Sequence, residues 1–172
     1  MKIDKRILDR LSETFSDEPV FLEKLLAYLN ENCKEVYLGD FKVEASGFCD
    51  QNGDIFINKS LLKDGVAPRL FLPFVLLHES VHISHNWKGA CELEYSEFKS
   101  KINECEDEAN GFALNLLKEN ISDDMEFEYK EIEKIFQFTE VKQKESFDKR
   151  YKPLYESIGG SLNFREHVGE VV

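Results

Sequence analysis

Apolar positions recur along the chain first at helical and then at strand spacing. Lys5 to Phe15 and Pro19 to Asn30 place side chains such as Phe21, Leu22, Leu25, Leu26 and Leu29 on one face of a 3.6-residue period. Pro19 suits a first helical turn, so two N-terminal helices are predicted. From Val36 the pattern moves toward strand, with Val36-Tyr37-Leu38 and then an imperfect alternation from Phe41 to Cys49. Asn52-Gly53, the strongest short hairpin signal, precedes the strand-like Ile55-Phe56-Ile57-Asn58. The middle of the chain is therefore expected to be a small antiparallel sheet ending in this hairpin.

A loop through Gly65 and Pro68 leads into the apolar run Leu70 to Leu77, which reaches His78 without a break. Pro73 is tolerated only near a helix start, because it has no N–H to donate, so this helix is expected to begin between Pro68 and Pro73. Glu94 to Glu119 predicts a second long helix, and helical spacing resumes after Ser122 through Phe127, Ile132, Ile135 and Phe136. Gly159-Gly160 breaks that pattern, and the tail from Ser161 to Val172 is short and ambiguous. The order helices, sheet, helices predicts an α+β fold. A length of 172 residues fits one domain. Within 1–172 it divides into N-terminal helices (1–35), a sheet with a hairpin (36–60), a helical pair (68–119) and a C-terminal helical region (120–172).

The apolar run ends in His78-Glu79-Ser80-Val81-His82, an H-E-x-x-H sequence on a predicted helix. Residues four apart share a helical face, so His78 and His82 can grip one ion. Glu79 lies about 100° further round, beside the ion rather than on it, where it can act as a general base toward water. The helix is apolar ahead of the motif and hence buried, and two buried histidines need partners. A metal supplies both.

A catalytic zinc site usually takes three protein ligands and leaves a fourth position open. Glu104, Glu106, Glu108 and His85 are the candidates for the third. On a helical wheel Ile102, Cys105, Ala109, Phe112, Ala113, Leu116 and Leu117 form one apolar arc, with Glu106 inside it and Glu104 and Glu108 outside. A carboxylate within an apolar face is costly unless it is paired or bound to metal, which selects Glu106. Asn110, one turn later on the same face, is placed to hydrogen-bond a ligand. His85 shares the face of His78 and His82, but three histidines along one helix span roughly 10 Å and cannot all reach one ion. Its expected role is to support a ligand or to cap the helix.

Composition narrows the rest. With 42% hydrophobic and 33% charged residues and fourteen Phe, the chain reads as an ordinary globular protein. A net charge of −12 repels polyanions and argues against direct nucleic-acid binding. Cys33, Cys49, Cys91 and Cys105 form no C-x-x-C pair, so free thiols in a reducing compartment are expected. Cys105 adjoins Glu106, yet its place in the apolar arc reads as a buried, inert thiol. Met1 to Arg6 lacks the apolar core of a signal peptide, and no apolar run approaches the ~18 residues a membrane helix needs. A cytoplasmic protein without membrane attachment is expected.

These residues resemble the ImmA/IrrE-like zinc metallopeptidases. Three pieces match in order: the strand Ile55-Phe56-Ile57-Asn58, then Leu77-His78-Glu79-Ser80-Val81-His82, then Glu106-Asp107-Glu108-Ala109-Asn110-Gly111-Phe112-Ala113, similar to that family's E-x-E-A-N/D-x-F-A. Together they span roughly residues 53 to 117. Ser80-Val81 stands where Leu-Gly is common, and Leu117-Lys118-Glu119 where Leu-Met-Pro is usual. The resemblance implies a zincin-like arrangement of the sheet against the motif helix, Glu106 as third zinc ligand, and a cytosolic protease acting on a regulatory protein, often a repressor.

The expected chemistry is zinc-assisted peptide hydrolysis with Glu79 as base. Tyr95, Tyr151, Tyr155 and His167 are unranked donors for the developing oxyanion. Ile55 to Asn58 is either a sheet edge that receives an extended substrate or an ordinary core strand. The alternatives to a protease are a metal-binding module that recognises a partner without cutting it, and an acidic structural or inhibitory protein.

Overall fold

A computed structural model of the chain describes residues 2–65, 68–157 and 164–172, with side chains throughout these segments except at 137–146. The first two apolar stripes form α1 (Lys5–Thr14), which buries Ile7 and Leu11, and α2 (Pro19–Asn32), which buries Phe21, Leu25 and Leu29. Asp4 caps α1 by accepting the Arg6 backbone N–H at 2.9 Å. Pro19 opens α2, where its missing N–H is no loss.

The fold is mixed α and β, but the sheet corrects the expected antiparallel arrangement. β1 (Lys2–Ile3), β2 (Glu35–Phe41), β3 (Gly47–Cys49), β4 (Ile55–Asn58) and β5 (Gly169–Val171) run in the order β1-β2-β4-β3, with β5 also paired to β2. The hairpin exists: β3 and β4 are antiparallel, and Gly53 in the turn has φ 93°, which favours glycine. β2, however, runs parallel to β4, as β1 does to β2, while β5 is antiparallel to β2. The reason lies in β4. Ile55, Phe56 and Ile57 are all buried, and a strand apolar on both faces belongs inside a sheet. The chain therefore passes β4's position, forms β3 at the edge and returns.

Val36, Leu38, Ile55 and Ile57 join the N-terminal helices and α3 (Phe71–His82) in the main core. On the other face Phe56 stacks on Phe164 with ring centroids 4.2 Å apart, so the C-terminal segment covers the sheet's second side. α3 starts within the expected window, and Pro73 falls at its third residue, where no intrahelical donor is required. It packs between the sheet and α5 (Tyr95–Asn120). The short α4 (Trp87–Cys91) joins these helices. α6 (Glu126–Glu156) docks Phe147, Tyr151 and Leu154 against Ala90, Phe98 and Ile102 in a separate apolar cluster. The break expected at Gly159-Gly160 lies outside the described residues. No described helix is long and apolar enough to cross a membrane.

Candidate metal centre

α3 is buried from Leu72 through Ser80 and again at His82, so the motif lies inside the protein. Facing it, α5 buries one stripe: Phe98, Ile102, Cys105, Glu106, Ala109, Asn110, Ala113 and Leu117. Glu106 is 6% exposed, whereas the side chains of Glu104 and Glu108 are 71% and 67% exposed. Phe112 leaves the expected arc: it is exposed and lies beside the Tyr28 ring.

His78, His82 and Glu106 converge, each offering a ligand atom within 4.8 Å of the others. The two Nε2 atoms stand 3.0 Å apart, His82 Nε2 is 2.9 Å from Glu106 Oε1, and His78 Nε2 is 3.4 Å from Glu106 Oε2. Tetrahedral ligands about 2.0–2.1 Å from zinc would stand roughly 3.3 Å from one another, close to these separations. Glu106 Oε2 is buried without a hydrogen-bond partner. A buried carboxylate oxygen left unmatched beside two facing imidazole nitrogens is a donor set that fits a cation. The cluster could therefore hold a metal ion.

Burial by itself would raise the Glu106 carboxyl, but the adjacent His82 and His78 outweigh it and hold it well below the usual carboxylate range. Glu106 is thus ionised at neutral pH, as a ligand must be. Burial opposes charge on His78, and Glu106 overcomes that and raises its pKa.

The surroundings organise the three side chains. His85 Nδ1 lies 3.0 Å from His82 Nδ1, and its Nε2 is 3.4 Å from Glu108 Oε2. His85 accordingly supports His82 from behind and is not part of the converging set. Burial and the neighbouring His82 lower its pKa. The Trp87 indole N–H donates to the His82 carbonyl at 3.2 Å, fixing the end of α3. Asn110 is buried on the expected face, but its side chain makes no hydrogen bond to His78, His82 or Glu106, and His78 Nδ1 has no partner among the described residues.

Glu79 lies outside the converging set and points toward β3. A Cβ added at Gly47 would stand 2.8 Å from Glu79 Cγ, 3.1 Å from its Oε1 and 2.7 Å from Val75 Cγ1. Gly47 is therefore the residue that makes room for the Glu79 carboxylate. Cys49, two residues on, is pushed well above the ordinary thiol range by burial and by the charge of Glu79, which keeps it protonated and unreactive. Burial also raises the Cys105 pKa.

Of the four possible oxyanion donors, only Tyr151 reaches the cluster. Its hydroxyl donates to Glu106 Oε1 at 2.6 Å. Burial and then Glu106 hold its pKa well above the ordinary phenol value, against the opposing pull of Arg150, so it stays protonated. Tyr95 bonds Asp148, Tyr155 bonds the Leu93 carbonyl, and His167 lies beside Glu166. Arg150 and Gly47 were not singled out from sequence. The Arg150 guanidinium carbon is 5.5 Å from the Tyr151 ring centroid, and its charge interacts with Glu106 and Glu79. The spacing of Phe147, Tyr151 and Leu154 was the available signal that this stretch buries a helical stripe. Nothing in sequence said where that stripe would dock.

Comparison with family models, with curated proteins and with solved structures finds no match to this chain.

Proposed function

We propose that this chain is a zinc-dependent peptidase that hydrolyses a peptide bond in a protein substrate. The observation that carries the reading is the buried convergence of His78, His82 and Glu106 beside a carboxylate, Glu79, that does not join them. Two imidazoles and one carboxylate are a ligand set suited to zinc with a position left for water or substrate. When bound there, zinc would supply Lewis acidity to a peptide carbonyl and acidify water.

The chain's own groups supply the rest. Glu79 is the base that takes a proton from water onto a carboxylate oxygen and returns it to the nitrogen of the departing amine. Tyr151 and His85 hold Glu106 and His82 in place. β3 is the outer strand of the sheet, and no described strand pairs with its far side. Its ladder to β4 turns the N–H and C=O groups of Gly47 and Cys49 outward. An extended substrate segment adding to that edge would pass the carboxylate that Gly47 accommodates. Interior β4, expected as a possible edge, cannot take this role.

The arrangement of sheet, α3 and α5 is read as zincin-like, in line with the resemblance to ImmA/IrrE-like metallopeptidases, and the substrate class it suggests is a regulatory protein such as a transcriptional repressor. All four cysteines are free, in keeping with a cytoplasmic location.

The test is cleavage of regulators encoded beside this chain, by the natural protein and by Glu79→Gln. Glu79→Gln should retain zinc and lose about 10²–10⁴-fold in cleavage, the usual contribution of a general base. Undiminished cleavage by that variant would contradict the mechanism. Zinc binding without cleavage by the natural protein would instead favour a module that recognises a partner without cutting it.

A further inference from the structure

We propose that α6 completes the metal centre, with Tyr151 as a positioning residue that fixes the Glu106 carboxylate through Oε1 and leaves Oε2 directed at the ion. The inference rests on the metal-centre reading above and assigns to that centre a third helix.

The geometry is specific. Tyr151 is buried, and its hydroxyl stands 2.6 Å from Glu106 Oε1, within the ~2.5–2.7 Å typical of an O–H bonded to an ionised carboxylate. A carboxylate accepts only, so the phenol must donate. Oε2 receives no hydrogen bond from any described residue. The two oxygens are thereby made unequal: Oε1 accepts from α6 and stands 2.9 Å from His82 Nε2, whereas Oε2, 3.4 Å from His78 Nε2, has no hydrogen bond and is left for a cation.

Glu106 needs such a tether. It has three rotatable side-chain bonds and rides on α5, whereas His78 and His82 are fixed one turn apart on the densely packed α3. Asn110, the neighbour on its own helix, does not bond it. The tether comes from 45 residues further along the chain. Phe147 and Leu154 flank Tyr151 on the same stripe of α6 and pack with it against Phe98, Ile102 and Ala90. The phenol is thus held by an apolar cluster that contains none of the three ligands. Outer partners of this kind commonly change metal affinity by about 10–100-fold.

The test is competitive titration of Zn²⁺ against a chromophoric chelator for the natural chain, Tyr151→Phe and Phe147→Leu, with the visible spectrum of Co²⁺ bound to each. Tyr151→Phe keeps the ring in its cluster and removes only the donor. Phe147→Leu disturbs the same cluster without touching Glu106. The expected result is zinc affinity weakened about 10–100-fold in Tyr151→Phe, with an altered Co²⁺ spectrum, and affinity close to natural in Phe147→Leu.

Equal affinities and spectra for the natural chain and Tyr151→Phe would overturn the proposal while leaving the three-ligand site standing. Equal weakening in both variants would also overturn it, by showing an effect of α6 packing alone. If Tyr151→Phe does not fold, Tyr151→Leu, which also lacks the donor, takes its place: zinc affinity weakened about 10–100-fold with an altered Co²⁺ spectrum would support the proposal, and natural affinity with an unchanged spectrum would overturn it. A natural chain that binds neither Zn²⁺ nor Co²⁺ would defeat the underlying metal reading and the tether with it.

Discussion

α3 and α5 each supply part of one cluster, yet they do so from opposite kinds of helix. α3 is buried on almost every side, and its polar residues, His78, Glu79, Ser80 and His82, sit within the protein. α5 is amphipathic: one stripe is buried, and Glu106 and Asn110 are its only polar members. In a helix buried all round, apolar pattern says nothing about which face matters, and the four-residue spacing of the histidines carries the information. In an amphipathic helix the information is the exception, a carboxylate where only apolar residues belong. The cluster was legible because each helix marked its contribution in the form its own pattern allowed.

The sharpest way to break that contrast is to exchange acids along α5. Glu106→Gln should weaken zinc binding by more than the ~10–100-fold that loss of an outer partner costs, while Glu104→Gln and Glu108→Gln leave it nearly unchanged. Isothermal or chelator-competition titration reads this. Loss of zinc in Glu108→Gln with retention in Glu106→Gln would reverse the helical phase. Packing gives the next contrast. Leu76, fully buried on α3, should cost about 2–5 kcal/mol as Leu76→Ala in denaturant unfolding. Asn115→Ala, on the exposed face of α5, should stay within about 0.5 kcal/mol.

Less of the sheet could be read than of these helices. Asn52-Gly53 named the hairpin correctly, but turn chemistry fixes only the pair it joins. The parallel pairing of β2 with β4 depends on which strand is apolar on both faces. Ile55-Phe56-Ile57 carries that information, yet its short apolar run is compatible with either an edge or a core strand, and the structure makes it the core strand. β1 and β5 are two and three residues long, too short for any period, and both exist through pairing with β2. Tyr151 was visible as a donor and Arg150 was not. Which phenol reaches Glu106 depends on how α6 docks, a long-range packing outcome that local spacing does not encode. Asn110 shows the converse: its face was read correctly, and its expected hydrogen bond to a ligand is absent.

The smaller predictions extend the contrast to the other side of α3 and then to a point neither helix touches. Gly47→Ala would press a methyl group against Val75 and Glu79, and should destabilise the fold by about 1–3 kcal/mol. Cleavage should fall while zinc binding is kept. Normal stability and cleavage would show that β3 yields freely there.

Asp4→Ala should cost about 1 kcal/mol, the usual value of an N-cap, with no change in zinc affinity. The hydrogen bond from Arg6 lowers the Asp4 pKa, against the opposing effect of burial. Its contribution is therefore present above the ordinary carboxylate pKa and is lost as pH falls through the depressed folded value. The difference between natural chain and variant in thermal unfolding should shrink on acidification. A difference that grew instead would contradict this assignment.

The most direct test of the whole reading is metal analysis of the purified chain before and after reconstitution, paired with Glu79→Gln treated identically. The expected result is about one zinc per chain in both, since the proposed ligands are His78, His82 and Glu106 and not Glu79. Finding no bound transition metal in the natural chain even after reconstitution would contradict the metal centre, and with it the peptidase built on it.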